Sequence, residues 1–273
     1  MEFKNKNVLI TGGSRGIGKA IAIKLAIEGA NISIAAKTTD PHPKLEGTIH
    51  TAAEEIRNFG VKVIAVKCDI RNEEDINLAV ETTVKELGGI DILINNASAI
   101  NLNSTEQMEA KRFDLMQGIQ VRGTFLMSRA CIPYLKKSSN AHILNLSPPL
   151  NLNPKWFGAH LAYTLSKYGM SMIVLGLAEE LKKYRIAANA LWPKTTIATA
   201  AVQNLLGGDT IMQMSRTPEI VADAAFHILS KNSETCTGNF FIDEEVLGAE
   251  GIFDFSGYSF SPGNELMKDI FLD

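Results

Sequence analysis

Short apolar, β-branched runs recur along the chain, and most are followed by a stretch whose apolar positions repeat at helical spacing. The strand-like runs are NVLIT (7–11), NISIAA (31–36), KVIAVKCD (62–69), DILINNA (91–97), AHILNLS (141–147), IAANALWP (186–193) and NFFID (239–243). Helical patterns cover 18–28, 50–58, 73–87, 111–134, 163–183 and 217–229. Strands that are apolar throughout are buried on both faces, and regular β-α alternation joins parallel strands by right-handed crossovers. The pattern predicts an α/β fold: a doubly wound parallel sheet of about seven strands with helices on both faces. No repeat, low-complexity tract or long linker divides the sequence, so residues 1–273 are expected to form a single domain.

Two stretches escape the alternation. Residues 199–215 read as two short helices about a Gly207–Gly208 hinge, either a lid or an ordinary surface connection. The last 27 residues are rich in glycine and aromatics without a period. They are either an ordered tail over the site or a neighbouring subunit, or a frayed end.

Composition narrows the function. The net charge is −3 and the basic residues are dispersed, which argues against nucleic acid or a membrane surface as partner. Cys68, Cys131 and Cys236 are far apart, and the five histidines show no zinc spacing, so no metal is expected. The sequence enters a strand-like run within a few residues and leaves no room for a leader; the expected setting is the cytoplasm. The longest apolar stretch, 168–178, is about half of a membrane span and suits a helix buried between layers or subunits.

The first strand runs straight into TGGSRGIG (11–18) and a helix. Glycines at 12, 16 and 18, with Ser14, Arg15 and Ile17 between them, let backbone approach a pyrophosphate at a helix N-terminus. The alternative is a tight turn with no ligand. An acid at the end of the second strand would hold an NAD ribose, but that strand ends in Ala36 followed by Lys37. Lys37 and Arg15 favour a 2′-phosphate, hence NADP(H) over NAD(H). Asp40 keeps NAD in view, and Lys37 also reads as a solvated loop residue.

Tyr163 and Lys167 lie four residues apart on one helical face. A free phenol has a pKa near ~10, and a neighbouring ammonium is expected to lower it into the range useful for general acid–base work.

TGGSRGIG, NNAS (95–98), YTLSK (163–167) and NALWPK (189–194), in this order, resemble the short-chain dehydrogenase/reductase family, with its Rossmann fold. The strings at 35–56 and 147–157 resemble its hydroxysteroid dehydrogenase-like branch, whose animal members carry an added sterol-carrier domain that these 273 residues do not include. The resemblance implies a carbonyl/alcohol oxidoreductase with a small-molecule substrate, working as a homo-oligomer (dimer or tetramer). It implies Tyr163 as proton donor or acceptor, with Lys167 assisting it and holding the nicotinamide ribose. It implies Asp69 and Ile70 at the adenine, Asn95 and Ala97 lining the cofactor, and Pro193, Thr195, Thr196 and Ile197 over the nicotinamide.

Two positions depart from the family pattern. Where a second serine is usual stands Pro148, leaving Ser147 either as donor to the substrate oxygen or turned into the core. Gln120 stands where asparagine holds a relay water, one methylene longer with the same donor and acceptor. Trp156, Phe157, Leu150, Leu152, Met212 and Met214 read as an apolar substrate wall or as lid packing, and His160 as an extra acid–base group or a pocket rim. The rival to an enzyme is a dinucleotide-sensing protein in which Pro148 and Gln120 abolish turnover.

Overall fold

A computed structural model describes residues 2–41 and 47–273. Lys37 and Arg15 lie inside it, whereas part of the 35–56 string lies outside the described residues.

Seven parallel strands form one sheet in the order β3-β2-β1-β4-β5-β6-β7. They are β1 (Asn7–Thr11), β2 (Asn31–Ala36), β3 (Val63–Lys67), β4 (Ile92–Asn95), β5 (Ala141–Asn145), β6 (Ile186–Trp192) and β7 (Phe240–Ile242). Every residue of β1, β4, β5 and β6 is buried, as expected for strands covered on both faces. Successive side chains alternate between two cores. Val8, Ile10, Ile32 and Ile34 meet α1 (Gly16–Ile27) and α9 (Glu219–Ser230). Leu9, Leu93 and Ile143 meet α3 (Glu73–Leu87), α5 (Thr124–Leu135) and α7 (Leu161–Glu180). Chain order reverses between β1 and β4, which opens a crevice at their carboxyl ends, the usual ligand position in such sheets.

Helix α2 (Ile49–Arg57) is closed by a capping box between Thr48 and Thr51. The expected helix over 111–134 is interrupted: α4 (Ala110–Met116) and α5 are joined by a π-helical segment, Gln117–Gly123. The hinge at 207–208 has the expected form, with a second π segment (Val202–Leu206) before it and α8 (Gly208–Gln213) after it. Both glycines have positive φ (159° and 62°). Among the described residues two further short α-helices are α6 (Lys155–Gly158) and α10 (Asp243–Ala249).

Helix α7 is long and apolar enough to cross a membrane by length and composition, but 61% of its most apolar window is buried inside the protein. It is a core helix.

Candidate functional site

The turn after β1 is built for close approach. Gly12 and Gly16 have φ of +70° and +55°, in the left-handed region that glycine occupies without penalty. Asn96 grips this turn, its Nδ2 donating to the carbonyls of Thr11 and Gly12, each at 3.0 Å. A Cβ on Gly18 would lie 2.6 Å from the Gly12 carbonyl and against the Asn96 amide. Arg15, the N-cap of α1, supplies no side-chain cap. First-turn N–H groups without a cap at a strand switch point fit a phosphate group. Ser14 is buried and Ile17 packs into the first core.

Asn95 itself bonds Ser128 (3.1 Å) and Asn145 (2.9 Å), and its Oδ1 is buried without a partner. The N–H of Ala97 is taken by Thr11 Oγ1 at 3.1 Å. The side chain that reaches the glycine turn is therefore that of Asn96, the second residue of the NN doublet, rather than Asn95.

At the far end of the crevice, Ala36 closes β2 and no acid follows it directly. The Lys37 side chain is 71% exposed, with Nζ 3.7 Å from Asp69. Arg71, not among the expected site residues, clasps Asp69 through Nε (2.9 Å) and Nη2 (2.5 Å). These bonds, led by the Arg71 side chain, hold the Asp69 carboxyl down to about 2. Arg15 donates to the Gly47 carbonyl at 2.6 Å. Lys37 and Arg71 thus flank Asp69 at the ends of β2 and β3, while Arg15 rests on Gly47 between β2 and α2. Ile70 packs against the π segment at Gly123. A groove of about 560 Å³ runs from Arg15 and Gly16 to Thr199 and Gln203.

Tyr163 and Lys167 occupy one face of α7 and are 5% and 4% exposed. Lys167 Nζ donates to the Leu146 carbonyl at 2.9 Å and lies 5.1 Å from the centre of the Trp192 ring. Burial draws the ammonium down to about 8, against the opposing charge of Asp269. The expectation that Lys167 lowers the phenol is overturned for this arrangement. Burial, then the Asp269 carboxylate, push Tyr163 well above the usual phenol range and hold it protonated. Asp269 is itself raised to about 7, first by burial.

Strand β5 was expected to run to Ser147 but ends at Asn145, because the Ser147 N–H turns back to the Asn145 carbonyl at 3.0 Å. Ser147 is wholly buried and its Oγ has no partner. Pro148 offers only its carbonyl, which accepts from Ser171 at 2.6 Å. Gln120 sits in the π segment and uses both ends of its amide. Oε1 accepts from the Ala99 N–H (3.1 Å), and Nε2 donates to Ser166 (3.0 Å), which in turn donates to the Tyr163 carbonyl (2.8 Å). Gln120 therefore ties the exit of β4 to the turn of α7 that carries Tyr163.

Beyond β6 the chain continues through Pro193 to Thr195, Thr196 and Ile197, all buried. Thr196 bonds Ser215 at 2.8 Å, while Thr195 Oγ1 is buried without a partner. The C-terminal tail is ordered and crosses this exit: Lys268 bridges Thr195, and the Asp269 N–H donates to the Lys194 carbonyl at 3.0 Å. Buried Asp243 accepts from the Lys194 N–H at 2.8 Å and is raised to about 6, chiefly by burial. Asp243, Asp269 and Phe271 had no local sequence signal.

The glycine turn at the switch point, with a buried Tyr/Lys pair facing the same sheet edge, defines a doubly wound protein of the dinucleotide-binding class. The short chain dehydrogenase family profile matches residues 6–208, and the chain belongs to that family of oxidoreductases. It is 59% identical over 266 residues to the Homo sapiens protein named hydroxysteroid dehydrogenase-like protein 2, covering 97% of this chain. It spans only 63% of that relative's length. Among solved structures, one from Xanthomonas campestris superposes with a TM-score of 0.97 at 50% identity over the whole of both chains. A short chain dehydrogenase from Mycobacterium thermoresistibile superposes with a TM-score of 0.94 at 53% identity, over 99% of this chain and 96% of the other. More distant members of the fold were crystallised with NADP, from Burkholderia cenocepacia, and with NAD, from Mycobacterium paratuberculosis.

Proposed function

We propose that this chain is an NADP(H)-dependent oxidoreductase that interconverts a carbonyl and an alcohol on an apolar small molecule. The observation that carries the reading is the buried Tyr163/Lys167 pair on α7, set at the sheet edge that the glycine turn opens. The dinucleotide, when bound, supplies or accepts hydride.

The residues of the chain do the rest. Tyr163 gives its phenolic proton to the substrate oxygen in reduction and takes one back in oxidation. Lys167, fixed by the Leu146 carbonyl one helical turn from Tyr163, brings a positive charge to the site and a donor for the nicotinamide ribose. Ser147 Oγ, buried with no partner, is available as second donor to the substrate oxygen. Gln120 holds the Tyr163 turn of α7 in register through Ser166. Thr195, Thr196 and Ile197 cover the nicotinamide side, and Asp69 and Ile70 the adenine. Lys37, Arg71 and Arg15 favour a 2′-phosphate and therefore NADP(H).

A homo-oligomer accords with exposed apolar residues on α7 (Leu165, Met172, Leu175) and Phe125 on α5. A cytoplasmic setting accords with three buried free thiols.

The test is NADPH oxidation with a panel of apolar aldehydes and ketones, with NADPH affinity measured beside it. Turnover sensitive to Tyr163→Phe is expected. Tight cofactor binding with no turnover on any carbonyl would favour a dinucleotide sensor instead.

A further inference from the structure

Residues 267–273 form a strap over Tyr163. The strap pairs with the chain leaving β6 and with the end of α8: the Met267 carbonyl accepts from the Thr196 N–H at 2.9 Å, and the Met267 N–H donates to the Met214 carbonyl at 2.9 Å. The Trp192 indole N–H donates to the Ile270 carbonyl at 3.0 Å. At its end, Asp273 accepts from Asn151 (2.7 Å) and pairs with Lys155 (2.6 Å).

Between these anchors Phe271 enters a cage of five rings. It stacks on Tyr163 (centroids 6.2 Å apart, planes 23° apart) and also contacts Trp156, His160, Tyr168 and Trp192 at 5.2–6.2 Å. The ring is 1% exposed. Two further observations show that this seat is not an ordinary piece of core. Phe271 has φ +73°, a left-handed conformation that costs a bulky residue of order 1–3 kcal/mol. Two polar atoms of the cage walls are buried without partners, Trp156 Nε1 and His160 Nε2. A phenyl group satisfies neither of them, and a buried donor left unpaired costs about 1–3 kcal/mol. A seat with apolar walls, unused polar groups and a strained occupant is suited to a different guest.

We propose that the cage is the subsite for a flat aromatic or alicyclic group of the carbonyl substrate, and that Phe271 holds its place as a specificity-determining residue which withdraws with the end of the strap when substrate enters. The proposal rests on the oxidoreductase reading above. It also accounts for the protonated state of Tyr163 in the closed arrangement: the strap both buries the phenol and brings Asp269 beside it. Withdrawal would relieve both influences.

The probe is acetophenone, titrated by calorimetry into the full chain saturated with NADP+, where no hydride is available to reduce it. Hydrogen exchange of the Met267 and Asp269 amides is followed in the same complex. The native chain loses affinity to competition from its own ring, so Phe271→Ala is expected to bind acetophenone about tenfold more tightly. The KM for acetophenone with NADPH should fall by a similar factor. In the native chain, acetophenone should accelerate exchange at Met267 and Asp269, a readout that requires no variant to fold. Unchanged affinity in Phe271→Ala with unchanged or slower strap exchange would overturn the proposal, as would failure of acetophenone to bind either chain. Tighter binding without NADPH oxidation by either chain would remove the oxidoreductase reading and leave the subsite standing. Turnover with Phe271→Ala indistinguishable from the native chain would do the reverse.

Discussion

Lys167 donates from Nζ to the carbonyl of Leu146, 2.9 Å away, and so locks the helix that carries Tyr163 to the exit of β5. The same burial that fixes the ammonium draws it down to about 8, from an ordinary value near 10.5. Reduction requires both a charged Lys167 and a protonated Tyr163, and Tyr163 stays protonated well above neutrality. The lysine therefore sets the alkaline limit. Carbonyl reduction should fall about tenfold per pH unit above roughly pH 8. The Asp269 charge opposes the lowering of Lys167, so Asp269→Asn should move this limb to lower pH. A pH profile of kcat/KM, which reports the free chain, that stays flat to pH 10 would contradict the assignment.

Cofactor selection is expected to reside at the ends of β2 and β3. Lys37→Ala should weaken NADPH about tenfold while leaving NADH within about twofold, because one exposed charge-assisted contact is lost to the 2′-phosphate alone. Titration of both dinucleotides by fluorescence decides this; equal weakening of the two would show that Lys37 does not read the phosphate.

Gly18 faces backbone. A Cβ there would meet the Gly12 carbonyl at 2.6 Å, and neither partner is the free end of a flexible side chain, since Asn96 is held by two bonds of its own. Gly18→Ala should cost about 1–3 kcal/mol of stability and weaken dinucleotide binding together. Thermal unfolding with and without NADPH would measure both losses; an unaltered midpoint would mean that the turn is looser than described.

His142, in β5, is 1% exposed; Nε2 meets the Lys231 carbonyl at 3.0 Å and Nδ1 has no partner. Burial, the main cause, presses the imidazole down to about 4. Above about pH 6.5 the folded and unfolded chains are both neutral at this position and it contributes nothing. As pH falls from about 6.5 toward 4 the unfolded chain takes up a proton that the folded chain does not, and stability drops by up to about 3 kcal/mol. Asp243 and Asp269, raised to about 6 and 7, act in the opposite direction. The comparison is therefore between the native chain and His142→Gln in urea melts at pH 4.5 and 7. The variant should lose less stability on acidification, and an identical loss would count against the account.

The sheet, its order of elements and the crevice were legible because they follow from local signals. Helix α3 is the clearest case: Asn72 caps it through the Glu74 N–H, acids fill its first turn, and left-handed Gly88 ends it. The apolar pattern overruns the end of β5 by two residues because Leu146 and Ser147 are buried beyond the strand as they would be within it. The π segment at 117–123 leaves no trace in apolar periodicity, yet it carries Gln120. The strap was the least legible part. Its partners Trp192, Thr196 and Asn151 lie 71 to 122 residues earlier in the chain, so no local period marks it. For the same reason the environment of Tyr163 was misjudged: Lys167 is one turn away in sequence, whereas Asp269 arrives through tertiary structure.

The decisive measurement is the rate of NADPH oxidation by the native chain and by Tyr163→Phe on the same apolar ketone, with NADPH affinity determined for both. The account predicts a loss of about 10²–10⁴ in kcat/KM with cofactor affinity unchanged, since only the proton donor has been removed. Turnover that survives the substitution within a few-fold would contradict the role given to the phenol and, with it, the reaction proposed for this site.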